Sequence, residues 1–252
     1  MNLMEVFGHT RSRIAANYAL ITTDTHVPST PINWEKSKLY VHISPHLGAR
    51  FAQYTALMEA GGRAGPALPG VERVIYILEG EVALRSSRSR DVVLRAGGYA
   101  YFPPDDANAQ AFKASSACKL SVFEKVYTPV TGIDPPLFRH GQEQDIAGDP
   151  FLGDPDARLK VLLPTTPDFD LAVNVFTYQP GAALPQVEVH IMEHGLLMLA
   201  GQGVYRLGDD WFPVKEGDII WMASYCPQWF VAMGKSPARY LYYKDVNRDP
   251  LA

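Results

Sequence analysis

Residues Leu196–Met233 read LLMLAGQGVYRLGDDWFPVKEGDIIWMASYCPQWFVAM. Short apolar runs alternate here with turn signals. LLML ends at GQG, VYRL at GDD, WFPV at KEGD and IIWMA at Pro227. WFVAM then runs to GKSPA, and RYLYYKDV closes the series. Runs of about five residues between Gly, Pro and Asp turns predict an all-β barrel or sandwich. No long 3.6-residue periodicity competes with that reading.

The N-terminal half repeats the grammar. VIYILEGEVAL leads to a turn at SSRSR, then DVVL, AGG and YAYFPP. VIYILEGEV overlays LLMLAGQGV, and LRAGGYAYFPP overlays VKEGDIIWMAS, at offsets of 122 and 120 residues. Two overlays at nearly one offset predict a duplicated domain. Residues 128–158, rich in Pro, Gly and Asp, read as a linker between an N-terminal domain (1–127) and a C-terminal domain (159–252).

The chain has 252 residues, 47% of them hydrophobic and 20% charged, which is ordinary globular composition. A net charge of -4 gives no reason to expect nucleic acid as partner. No basic block addresses an anionic membrane, and no apolar run approaches a membrane span. The N-terminus lacks the pattern of a signal peptide. Cys118 and Cys226 read as free, buried thiols. A cytoplasmic protein is expected.

Chemistry concentrates in PGAALPQVEVHIMEHGLLML. Glu188 and His190 are two apart, which on a strand places both side chains on one face. His194 follows four residues later, where a hairpin would fold it back toward the pair. One carboxylate and two imidazoles suit Mn, Fe, Ni or Zn, with the carboxylate favouring a harder ion. His42 and His46 are also four apart, but no acid stands beside them, so they read as structural. Trp211, Trp221 and Trp229 read as core or pocket-wall residues.

Gly181, Glu188, His190, His194 and Gly201 resemble the first metal motif of the cupins, with Glu188 in the slot of the usual first His. Gly217 opens a second motif, and Gln228 stands where its late ligand falls. Glu, His, His and Gln in those slots resemble the (S)-ureidoglycine aminohydrolase family, two-cupin manganese enzymes. The likeness runs on through RYLYYKDVNRDP and, more loosely, through NYALI and GGYAYFPP.

The resemblance implies a bicupin of two fused jelly-roll barrels. It implies Mn2+ held by Glu188, His190, His194 and Gln228, and release of ammonia from a small ureide substrate. It also implies a homo-oligomer. Tyr240, Tyr242 and Lys244 share one face of their strand by the two-residue period. The positions matching Tyr240 and Lys244 contact substrate in the family, as Glu188 and Gln228 would through the site, and Tyr205 matches a further active-site tyrosine. Lys244 is the candidate proton carrier or carboxylate handle, and Glu188 a second proton carrier. In the N-terminal half the four ligand slots hold Ala67, Pro69, Arg73 and Asn108, so that barrel is expected to be structural. The competing readings are another metal-cupin enzyme, such as a dioxygenase or isomerase of a polar acid, and a non-catalytic small-ligand binder.

Overall fold

The computed structural model describes residues 8–30, 33–84, 92–104 and 111–249. The SSRSR turn and Asn108 lie outside them. Among the described residues there is no α-helix, only three short 3-10 turns and twenty strands. All strand pairings are antiparallel, and the strands form three sheets.

An eight-stranded sheet runs in the order Arg13–Ile14, Tyr18–Ile21, Ile219–Met222, His194–Ala200, Ala238–Asp245, Leu171–Tyr178, Asp154–Val161, Asp149–Phe151. A three-stranded sheet of Asp210–Lys215, Gln202–Leu207 and Gln228–Met233 packs over it. Phe176, Tyr178, Met198, Tyr205, Phe230 and Tyr240 fill the space between, which is the interior of the C-terminal barrel. A nine-stranded sheet built around Phe51–Ala64, Val71–Glu79 and Cys118–Val126 forms the N-terminal barrel. Trp34, Tyr54, Met58, Phe102 and Phe112 fill its interior.

A third core lies between the barrels. Phe51, Tyr76 and Phe123 of one sheet meet Trp221, Leu241 and Tyr243 of the other. Alternation along each strand explains the division: Tyr240 and Tyr242 face the C-terminal barrel interior, Leu241 and Tyr243 the opposite barrel. Lys125 pairs with the fully buried Asp170 across this junction.

The duplication is visible in the register. His194 pairs with Met222 on one side and Lys244 on the other. Arg73 pairs with Phe102 and Glu124 in the same way.

The segment 128–158 differs from a plain linker. Arg139–Gln142 adds to the N-terminal sheet beside Gly98–Phe102, and Asp149–Phe151 and the start of Asp154–Val161 already belong to the C-terminal sheet. Conversely, Tyr18–Ile21 near the start of the chain pairs with Ile219–Met222 of the C-terminal barrel. Backbone hydrogen bonding completes these short strands even where composition is turn-like. Trp211 also departs from expectation. It is 54% exposed, because it lies across from Arg206 on the outer face of the three-stranded sheet, where Arg206 covers it and Trp229 meets it edge-on. Trp221 is buried between the barrels.

Candidate metal centre and active site

Glu188, His190, His194, Tyr205, Gln228, Tyr240 and Lys244 all line one cavity of about 150 Å³ at the mouth of the C-terminal barrel. That is well below the roughly 300–1,000 Å³ of a drug-sized pocket, so the cavity suits a small molecule. Phe151, Leu159, Phe176, Leu184 and Met222 give it apolar walls.

The backbone brings the donors together from three places. His194 opens the strand His194–Ala200. Gln228 opens Gln228–Met233. Glu188 does not lie in a strand ladder; it makes a single antiparallel bridge to Gln228, donating to its carbonyl at 2.8 Å and accepting at 3.0 Å. His190 lies beyond that bridge in a loop, its carbonyl tied to Tyr225 N at 2.7 Å. An extended arm across the barrel mouth therefore does the work assigned to a strand.

At the centre, Nε2 of His190 lies 3.2 Å from Nε2 of His194, 3.0 Å from Nε2 of Gln228 and 3.8 Å from a Glu188 carboxylate oxygen. Nδ1 of His190 faces the Met192 carbonyl at 3.2 Å. Assigned on that partner, the neutral ring carries its proton on Nδ1 and presents a lone pair at Nε2. His194 is buried. Burial, then the nearby His190 and Lys244, lower its pKa to about 3, against a backbone hydrogen bond at Tyr243. Its Nε2 thus also presents a lone pair toward the centre.

Two lone pairs facing each other are repulsive unless a cation or a donor serves them; here the Gln228 amide donates to His190 Nε2 at 3.0 Å, and an ion would serve both rings. Two donors each about 2.1 Å from a shared ion, at a right angle, stand about 3 Å apart. The His190–His194 spacing meets that distance, and the Met192 carbonyl holds the ring as outer partners of metal-bound histidines do. Among the described residues no three His, Cys, Asp or Glu side chains already form a closed cluster; Glu188 stands back, and the remaining donor is an amide. Gln228 is 3% exposed, and its Oε1 accepts from the Tyr205 hydroxyl at 3.3 Å. The two imidazole nitrogens with the Glu188 carboxylate nearby fit a divalent ion with room left for a small ligand, and Gln228, whose Nε2 faces His190, would join them through Oε1 with its amide turned over.

Lys244 sits opposite His194 in the sheet register and lines the same cavity. Burial lowers its pKa, while Glu188 and Asp245 act in the other direction. Among the described residues it forms no ion pair, so its ammonium is available to an anion in the cavity. Tyr240 is buried and its hydroxyl meets Tyr178 at 3.0 Å. Tyr242 packs its ring against His194 at 5.7 Å. Tyr178 and Met192 escaped sequence reasoning, since nothing in their spacing marks them. Glu193, adjacent to His194, points away from the cavity and accepts from Trp221 Nε1 at 2.7 Å.

In the N-terminal barrel the position of His194 is taken by Arg73, whose Nε donates to Glu124 at 2.6 Å. Arg73 also donates to the Gly65 carbonyl at 2.7 Å and lies over the Trp34 ring.

This geometry defines a protein of the cupin class. The cupin domain family matches residues 174–243, and the EutQ-like cupin domain matches residues 47–127. The probable (S)-ureidoglycine aminohydrolase of Oryza sativa subsp. japonica is 40% identical over 99% of this chain and 80% of its own length. The (S)-ureidoglycine aminohydrolase of Arabidopsis thaliana is 38% identical over 99% of this chain and 83% of its own. A crystal structure of a putative glyoxylate-induced protein from Pseudomonas aeruginosa superposes with a TM-score of 0.86 at 30% identity, covering 96% of this chain and 92% of that one. The chain belongs to the (S)-ureidoglycine aminohydrolase family, a family of two-domain cupin enzymes. Among the described residues no helix is long and apolar enough to cross a membrane.

Proposed function

We propose that this chain hydrolyses (S)-ureidoglycine to (S)-ureidoglycolate and ammonia with manganese as cofactor, in the breakdown of purine-derived ureides. The carrying observation is the convergence of Glu188, His190, His194 and Gln228 beside Lys244 in one small cavity. The names of the relatives supply the substrate. The division into an N-terminal cupin, a connecting segment and a C-terminal cupin bearing the site is part of this proposal, as is assembly into a homo-oligomer.

The substrate has one carbon bearing a carboxylate, an amine and a ureido group. Water replaces the amine, so a C–N bond breaks, a C–O bond forms, the water loses a proton and the leaving amine gains one. The bound ion would orient substrate and stabilise developing charge, with no redox change. Glu188, His190, His194 and Gln228 would hold it. Lys244 holds the substrate carboxylate or carries the proton to the departing amine; its desolvated ammonium suits either role. Glu188 is the second proton carrier within reach of the same cavity. Tyr205 keeps Gln228 oriented through its hydroxyl. Tyr240 and Lys244 border the substrate from one strand face. The apolar walls restrict water around the reacting carbon.

The test is ammonia release from freshly generated ureidoglycine by metal-stripped protein with manganese added back. Release well above the spontaneous rate, dependent on the added ion, is expected. Release no faster than the spontaneous background refutes the reading.

A further inference from the structure

We propose that Arg50, carried by the N-terminal barrel, is a positioning residue for the C-terminal site, holding from behind the two strand ends that present His194 and Lys244. The inference rests on the metal-site reading above and adds a role for the N-terminal barrel.

His194 and Lys244 are register partners on neighbouring strands. Their side chains face the cavity, so the residues beside them face the other way. Those residues are Glu193, Gly195, Tyr243 and Asp245, and the N-terminal barrel grips every one. The Arg50 backbone N–H donates to both Glu193 carboxylate oxygens, at 3.0 and 3.2 Å, and its Nε donates to one of them at 3.2 Å. The far end of the same guanidinium reaches Asp245 at 2.6 Å and the Ser224 hydroxyl at 2.9 Å. One side chain thus spans from the residue before His194 to the residue after Lys244. The Glu193 N–H closes the loop by donating to Asp245 at 2.5 Å.

Packing reinforces the bridge. The Phe51 ring stacks on Tyr243 at 4.1 Å. Gly195 is pressed so closely that an added Cβ would lie 2.4 Å from the Phe51 ring and 2.6 Å from Gln53 Oε1. Glu193 is 2% exposed, whereas the Arg50 side chain is half exposed. The Arg50 side chain is therefore removable without opening a core cavity; its truncation keeps the backbone N–H bonds to Glu193 but removes the guanidinium that ties Glu193 to Asp245 and balances their charge beside His194 and Lys244. Outer partners that orient ligands typically change metal affinity by about 10–100-fold when removed.

The experiment titrates manganese into metal-free protein, following free Mn2+ by its electron paramagnetic resonance signal. It also measures amide exchange over residues 190–198 and 240–248 without metal. Arg50→Ala is compared with Arg50→Lys and with Arg11→Ala. Arg11 makes a two-armed ion pair to Asp218, at 2.8 and 2.9 Å, at the far end of the neighbouring strand, so its loss removes a comparable contact away from the cavity. Arg50→Ala is expected to raise Kd about 10-fold or more and to speed exchange in both segments. Arg50→Lys recovers part of the loss, and Arg11→Ala keeps Kd within about twofold of wild type. A wild-type Kd in Arg50→Ala overturns the proposal, whatever the exchange shows. Should Arg50→Ala not fold, Arg50→Lys decides: a Kd more than about twofold above wild type supports the role, and one within that range overturns it. A wild-type protein that binds no manganese refutes the metal reading instead; amide exchange then decides for Arg50, unchanged rates overturning its grip on the two strand ends.

Discussion

Acid should unfold this protein through two imidazoles that it keeps uncharged. His194 and His42 are each 7% exposed. Burial, the dominant cause in both, lowers each from 6.5 to about 3. His190 and Lys244 add to the effect at His194, and His26, whose ring lies 4.3 Å away, adds to it at His42. The unfolded chain takes up a proton at each site near pH 6.5, and the folded chain does so only near pH 3. The unfolded state therefore binds more protons throughout that window. The stabilisation is full above pH 6.5, is lost as pH falls, and is gone below about 3. One unit is worth roughly 1.4 kcal/mol, so each histidine contributes a slope approaching 1.4 kcal/mol per pH unit and about 5 kcal/mol over the window. Urea unfolding followed by circular dichroism, at steps from pH 7 to 5 in a chelator, reads the slope directly. His42→Asn should flatten it by about 1.4 kcal/mol per pH unit near pH 5. Carboxylates common to both proteins cancel in the comparison. Equal slopes would mean that His42 is charged in the folded protein. The burial argument that keeps the His194 lone pair free for an ion would fail with it.

Three shorter predictions concern the site. Lys244→Met should bind manganese as wild type does yet release ammonia about 10²–10⁴-fold more slowly; wild-type turnover would remove Lys244 from the chemistry. Gln228→His raises ligand basicity and should change the metal recovered by elemental analysis, and unchanged metal content and activity would count against Gln228 as a ligand. Tyr205→Phe leaves the buried Gln228 oxygen without its hydroxyl donor, at a cost of about 1–3 kcal/mol. Differential scanning calorimetry of the metal-free protein should show a Tm lower by several degrees, and an unchanged Tm would refute that hydrogen bond.

Strand grammar was legible because each strand alternates and ends at a turn residue. Glu188, His190 and His194 stood out by spacing, while Gln228, Tyr205 and Lys244 needed the family resemblance, since an amide or a lysine at a strand end looks ordinary alone. Periodicity names a strand without naming its partner. That is why NYALI gave no sign that Tyr18–Ile21 joins the C-terminal sheet, nor Arg139–Gln142 that it joins the N-terminal one. The arm carrying Glu188 and His190 was read as a strand because two-residue spacing fits one. In the structure the spacing serves a single bridge to Gln228 and a loop whose His190 carbonyl accepts from Tyr225 N. Arg50 had no signal at all: its partners lie 143 and 195 positions away, in a register that only the packed barrels create.

The two barrels show what separates a closed cupin from an open one. In the N-terminal barrel, Arg73 and Glu124 occupy the paired positions and neutralise each other at 2.6 Å, over an interior filled by Trp34, Tyr54 and Phe102. Charge and volume are both satisfied within the chain. In the C-terminal barrel the same paired positions hold a neutral imidazole and a lysine. His194 gives Lys244 no counter-charge, and two imidazole lone pairs meet beside it. The imbalance is double: the facing imidazoles favour a cation, and the lysine, which has no ion-pair partner among the described residues and only Glu188 and Asp245 as nearby negative charges, favours an anion. On the proposed function, a divalent ion and a small carboxylate-bearing substrate would supply one each. Placed together in a cavity of about 150 Å³, they would also attract each other, so that each would favour the other's binding.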